Sequence, residues 1–130
     1  MHRMPTLADA VATHARLRPT KLAVRDSRRR LTYAEWHARS ERLAAALRAL
    51  GLAKGERVAV LAYNRLEWME IYAGMARAGL VVVPLNFRLA GAEMAYILEH
   101  AEVGALIVGS EFCSTIDAIR DSLTVPATNF

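Results

Sequence analysis

The chain has 130 residues, 54 % of them apolar and 23 % charged, with a net charge of +4 and a single cysteine. That length accommodates one core but not a two-domain enzyme, and the composition is globular rather than disordered. The lone Cys113 rules out an intramolecular disulfide and a cysteine-based zinc site of ordinary spacing, and it suits a reducing cytoplasm. Fifteen of the seventeen basic residues are arginines, scattered apart from Arg28-Arg29-Arg30. Such a surplus attracts phosphate-bearing ligands without identifying nucleic acid, so the expectation is a solvated surface and no nucleic-acid partner. The start, Met1 to Pro5, lacks the apolar stretch of a signal peptide. The longest apolar run, Ala78 to Leu85, has eight residues and is too short to cross a bilayer. A cytoplasmic protein with at most peripheral membrane contact is expected.

Thr6 is placed to cap a helix from Leu7 to about Arg16, with Leu7, Val11 and Ala15 on one face. Pro19 ends it. Leu22 to Arg25 reads as a strand, and Asp26 to Arg30 as the basic tip of a β-hairpin returning through Leu31-Thr32. Thr32-Tyr33-Ala34-Glu35 is a capping box for a helix from Tyr33 to Leu50, with Trp36, Leu43, Ala44, Leu47 and Leu50 at helical spacing and Gly51 as its stop. Arg57 to Ala62 is a buried strand. Asn64 repeats the capping logic with Glu67 for a helix presenting Trp68, Ile71, Tyr72, Met75 and Ala78 inward, closed by Gly79. Leu80 to Val83 forms the next buried strand, Ala92 to His100 a helix, and Gly104 to Val108 a third buried strand. Ser110 is expected to cap a last helix, Glu111 to Leu123, leaving 124–130 as an unpatterned tail. Apolar strands alternating with capped helices make βαβ units. The fold class is therefore α/β, a three-layer parallel sheet with an N-terminal helix and hairpin, and residues 1–130 read as a single domain.

Several chemistries lack their residues. No G-x-G-x-x-G follows a strand, and Gly51 to Glu56 is a helix-to-strand turn without the Gly-Lys-Ser/Thr ending of a phosphate loop. His2, His14, His37 and His100 show no metal-ligand pairing, and no G-x-S-x-G elbow is present. Cys113 reads as a buried structural residue. Trp36, Trp68 and Tyr72 read as core rather than as a base-stacking surface, and Asn64 and Glu67 as caps. Arg88 stands apart. It follows a parallel strand in the loop at the strand's carboxyl end, where open α/β sheets gather ligands, and its forked guanidinium suits phosphate. The plainer alternatives are a solvated arginine or a pair with Glu93.

One ordered set of segments runs through the chain: Leu31-Thr32-Tyr33 before a long helix, Gly51 and Lys54-Gly55-Glu56-Arg57-Val58 into a strand, Asn64 with Glu67, Ala78-Gly79 into Val81-Val82-Val83-Pro84-Leu85-Asn86, then Arg88-Leu89 and Glu93. In that order residues 6–112 resemble the opening of an AMP-forming acyl-CoA synthetase, one of the carboxylate-activating ligases that include luciferases and adenylation domains. The resemblance implies that this single domain, residues 1–130, is a partial N-terminal subdomain of that fold. It also implies ATP, Mg2+ and coenzyme A as cofactors and co-substrates of the complete enzyme, a carboxylic (fatty) acid substrate, and Arg88 near the nucleotide phosphates of coenzyme A. The Ser/Thr/Gly-rich phosphate loop, the ribose-binding acid, the hinge and the C-terminal lysine of such enzymes are absent here. The expectation is a fragment, inactive alone, with no catalytic or metal-ligating residue of its own, whose exposed sheet edges favour self-association. The alternative is a non-catalytic module that pairs with a ligase or holds coenzyme A.

Overall fold

The computed structural model describes residues 4–126 and 129. Its first half contains α1 (Leu7–Leu17), β1 (Leu22–Arg25), β2 (Arg30–Thr32) and α2 (Tyr33–Ala49). Then come β3 (Arg57–Leu61), α3 (Glu67–Ala78), β4 (Val81–Pro84), α4 (Gly91–His100), β5 (Val103–Val108) and α5 (Cys113–Asp117). Packing divides the chain into two compact units, one of residues up to Lys54 with Asn64–Leu80, the other of Gly55–Tyr63 with Val81 onward.

The first unit gathers α1, the hairpin, α2 and α3. Thr6 opens α1 with a capping box, accepting from the Asp9 N–H (3.3 Å) while Asp9 accepts from the Thr6 N–H (2.8 Å). Thr32 and Glu35 do the same for α2, as the sequence predicts. In α2 the buried stripe is Trp36, Ser40, Ala44 and Leu47, whereas Leu50 is 43 % exposed. The indole N–H of Trp36 donates to the Met69 carbonyl at 2.8 Å. Gly51 follows with φ +83, the left-handed stop expected of it.

Two expectations for α3 fail. Asn64 does not cap it: the helix starts at Glu67 with Leu66 in the cap position and no side-chain cap bond. The Glu67 carboxylate instead accepts two bonds from Arg29 (2.6 and 2.9 Å) and one from Arg65 (3.1 Å). Charge-assisted bonds of this kind outcompete a neutral backbone donor. The inward face is also rotated. Ile71, Ala73, Gly74 and Met75 are buried, while Trp68 is half-buried and Tyr72 is 39 % exposed. Gly74 explains the rotation, because a Cβ there would lie 3.0 Å from Leu43 Cδ2 and 3.1 Å from the Ser40 carbonyl oxygen. The small face of α3 is therefore the one that lets α2 approach, and the bulky rings turn away.

The second unit holds a parallel sheet in the order β4-β3-β5, with Val58 beside Val82 on one side and Ala105 on the other. This is the α/β parallel architecture the sequence implies. Ala59, Leu61 and Leu106 pack with Met94 and Leu98 of α4 and with Phe112 and Ile116. Leu61, Met94, Leu98 and Ile116 are almost wholly enclosed, each worth about 1.5–3 kcal/mol by burial. β4 is less covered than expected, with Val81 48 % exposed, because among the described residues it pairs with β3 alone.

The single long helix expected over Glu111–Leu123 breaks into a 3-10 turn (Ser110–Phe112), α5 and a second 3-10 turn (Arg120–Ser122). Ser and Thr residues compete for backbone partners here: the Ser122 hydroxyl donates to the Ile119 carbonyl at 2.7 Å. Ser110 makes no cap, since Gly109 occupies that position. Cys113 is exposed rather than buried, the inward positions being Phe112 and Ile116. In the segment expected as a tail, Thr124 donates to the Glu99 carboxylate (2.7 Å), Val125 is buried, and the Asn129 amide donates to the Gly104 carbonyl (2.8 Å). Residues 127, 128 and 130 lie outside the described residues.

Candidate functional site at the carboxyl ends of the parallel strands

Parallel strands end on the same side, so the loops leaving β3, β4 and β5 bring distant residues together. Each supplies an aromatic ring: Tyr63 after β3, Phe87 after β4 and Phe112 after β5. Tyr63 lies 4.8 Å from both Phe87 and Phe112, ring centre to ring centre, at interplanar angles of 71° and 60°. Phe112 is buried beneath, and Tyr63 is 46 % exposed at the rim. These steeply inclined contacts hold Tyr63 against both phenyl rings.

Arg88 stands on this cluster. Its backbone N–H donates to Asn86 Oδ1 at 3.0 Å, and the Leu89 N–H donates to the Asn86 carbonyl at 3.1 Å. Asn86 thus builds the turn that presents Arg88. The guanidinium carbon lies 5.7 Å from the centre of the Phe87 ring, a cation–π distance that orients the side chain without neutralising it. Glu93, the alternative partner, accepts the Ala90 N–H at 2.7 Å and opens α4 instead. Among the described residues no carboxylate pairs with Arg88, and the residue is exposed. Its donors therefore face solvent, ready for phosphate or carboxylate oxygens.

The other residues singled out from the sequence do not converge here. Trp36 is core, His14 and His37 are half-buried, and His100 is exposed and stacked 5.7 Å from Tyr96. His2 lies outside the described residues. Among the described residues no group of three or more His, Cys, Asp or Glu gathers around a point that suits a metal ion. The carboxyls with depressed pKa belong to the first unit. Asp26 is lowered to about 2, chiefly by the N–H groups of Arg28 and Arg29, and Glu67 to about 2, chiefly by Arg29. Tyr63, Phe87 and Phe112 escaped the sequence reading. The signal available was position: each lies within four residues of the end of a parallel strand.

Residues 11–129 match the AMP-binding enzyme family. The chain is 41 % identical over 117 residues to an indoleacetate–CoA ligase of Aromatoleum aromaticum, covering 90 % of this chain and 23 % of that one. It is 38 % identical over 115 residues to the fatty acid–[acyl-carrier-protein] ligase ScoC of Streptomyces coeruleorubidus, covering 88 % and 22 %. The crystal structure of the N-terminal domain of FACL13 from Mycobacterium tuberculosis superposes with a TM-score of 0.86 at 34 % identity, covering 97 % of this chain and 35 % of that one. The chain thus spans less than a quarter of the length of these curated relatives. No helix among the described residues is long and apolar enough to cross a membrane. With that extent of matched sequence and the parallel sheet in common, the chain belongs to the AMP-binding enzyme family and corresponds to the N-terminal part of its acid-activating ligases.

Proposed function

We propose that this chain is the N-terminal segment of an ATP-dependent cytoplasmic ligase that converts a carboxylic acid, in our reading a fatty acid, into an acyl adenylate and passes the acyl group to coenzyme A. What supports the reading is the agreement among relatives that differ in acceptor: one is named for CoA, another for an acyl carrier protein, and both for a carboxylic acid donor. ATP and Mg2+ belong to the complete enzyme in this reading, because the residues that cradle a triphosphate are not in this sequence. Alone, the segment is inactive. Pyrophosphate exchange with the 130-residue chain and a panel of fatty and aromatic acids tests this; acid-dependent exchange would refute the inactivity.

Within that function Arg88 contacts a phosphate of coenzyme A. Its exposure, its orientation over Phe87 and its freedom from a carboxylate among the described residues favour this role. The same observation supports a second reading, in which the segment holds coenzyme A without catalysing. Calorimetric titration with coenzyme A distinguishes them from a bystander arginine. Arg88→Ala should weaken binding about 10- to 100-fold, the range for a lost charged hydrogen bond. Equal affinity of the two proteins would remove Arg88 from the site.

A further inference from the structure

The positive charge of this protein is concentrated in one stretch. Residues 16–30 carry seven basic side chains against one acid, a net of +6, while the rest of the chain has ten basic and twelve acidic residues, a net of −2. The stretch covers the end of α1 and the β1–β2 hairpin, both within the first unit. All seven basic residues are exposed.

Two of its charges are occupied. Asp26 faces its own turn, its Oδ1 accepting the N–H groups of Arg28 (2.8 Å) and Arg29 (2.7 Å). Arg29 is held by Glu67. These bonds stiffen the tip, and they leave Arg16, Arg18, Lys21, Arg25, Arg28 and Arg30 without a carboxylate partner among the described residues. Leucines lie between them. Leu17 is 65 % exposed and Leu22 is 47 % exposed. Leu22 shares a concavity of about 300 Å3 with Arg25, Arg28 and Arg30.

We propose that residues 16–30 form a docking surface for an anionic lipid membrane, with the free basic side chains meeting headgroup phosphates and Leu17 and Leu22 entering the headgroup boundary. Basic clusters of this size are drawn to anionic leaflets, and apolar side chains among them add burial at the interface. The leucines favour lipid over a nucleic acid, whose phosphate backbone offers them nothing. The stretch also has no aromatic ring, Asn or Gln to stack on or read a base. Contact of this kind is peripheral.

Co-sedimentation of the chain with phosphatidylglycerol-rich vesicles and with pure phosphatidylcholine vesicles tests the proposal. Binding is expected only to the anionic vesicles and should be lost in molar salt. The combined variant Arg25→Gln, Arg28→Gln, Arg30→Gln should partition roughly 100-fold less. Leu17→Ser with Leu22→Ser should bind about tenfold less at unchanged charge. Arg42→Gln, an exposed arginine on α2, should bind like the parent, and circular dichroism establishes that each variant is folded. Equal binding to neutral vesicles, no binding to either, or full binding by the leucine variant would overturn the proposal. So would displacement from the vesicles by duplex DNA or polyglutamate at equal charge.

Discussion

Replacing Glu67 with glutamine tests how the β1–β2 hairpin is fastened to the start of α3. The hairpin has only two strands, which is marginal without external support. The Arg29 guanidinium grips both oxygens of Glu67 and also reaches Asp26 at 3.2 Å. The Glu67 carboxyl titrates near 2 when folded, against an ordinary value of 4.5. Because the folded value is the lower one, the stabilisation is complete above about pH 4.5 and disappears as pH falls through 2. A difference of that size is worth at most about 3 kcal/mol. The Arg29 side chain is 46 % exposed, so solvent screening reduces the expected effect to about 1–2 kcal/mol.

Urea unfolding of the parent, Glu67→Gln, Arg29→Gln and the double variant, at pH 7 and at pH values descending toward 2, measures the pair as a coupling energy. The coupling should be about 1–2 kcal/mol at neutral pH, smaller in high salt, and near zero at the acid end. Asp26, depressed to about 2 by its own turn, titrates in the same window. The coupling term of the cycle isolates the Arg29–Glu67 share of the acid slope, because the Arg29–Asp26 and Arg65–Glu67 contacts are lost equally in a single variant and in the double variant and cancel. A coupling that is independent of pH, or absent at neutral pH, would refute the assignment of Glu67 as an ionised anchor.

Two further outcomes follow from packing and edge chemistry. Gly74→Ala places a methyl group against Leu43 and the Ser40 carbonyl. The strain of about 1–3 kcal/mol exceeds the helix-propensity gain of about 1 kcal/mol, so the urea midpoint should fall with the slope unchanged. The outer edge of β4 is the route we expect for self-association. The N–H groups of Val81 and Leu85 point toward β3, so by alternation Val82 and Pro84 face outward, and proline offers no donor. Any association should therefore be weak, and Pro84→Val should raise it measurably in analytical ultracentrifugation; an unchanged sedimentation profile would count against this edge.

What the sequence revealed and what it hid divide along the range of the interactions. The Thr32–Glu35 box, the glycine stop at Gly51 and the three apolar strands are local patterns, and each appears where its residues place it. Asn64 failed as a cap because the decisive partner of Glu67, Arg29, is 38 residues away. Trp68 and Tyr72 sat on a plausible apolar stripe, yet close approach to α2 selects Gly74 for the interior, a choice that depends on another helix. The helix expected over Glu111–Leu123 is cut to Cys113–Asp117 because Ser and Thr propensities there favour turns over continuation.

The candidate site shows the same division at its most instructive. Arg88 was legible because a strand end followed by a cation is a local signal. Its setting was not, since Tyr63, Phe87 and Phe112 lie in three separate loops and become neighbours only when β3 pairs with both β4 and β5. Arg88 had two candidate partners in sequence, solvent and Glu93. The turn made by Asn86 and the cap made by Glu93 decide between them, spending the acid on Ala90 and leaving the guanidinium over an aromatic ring. A charge oriented by a neutral surface retains its full attraction for an incoming anion, which a salt-bridged arginine would have surrendered.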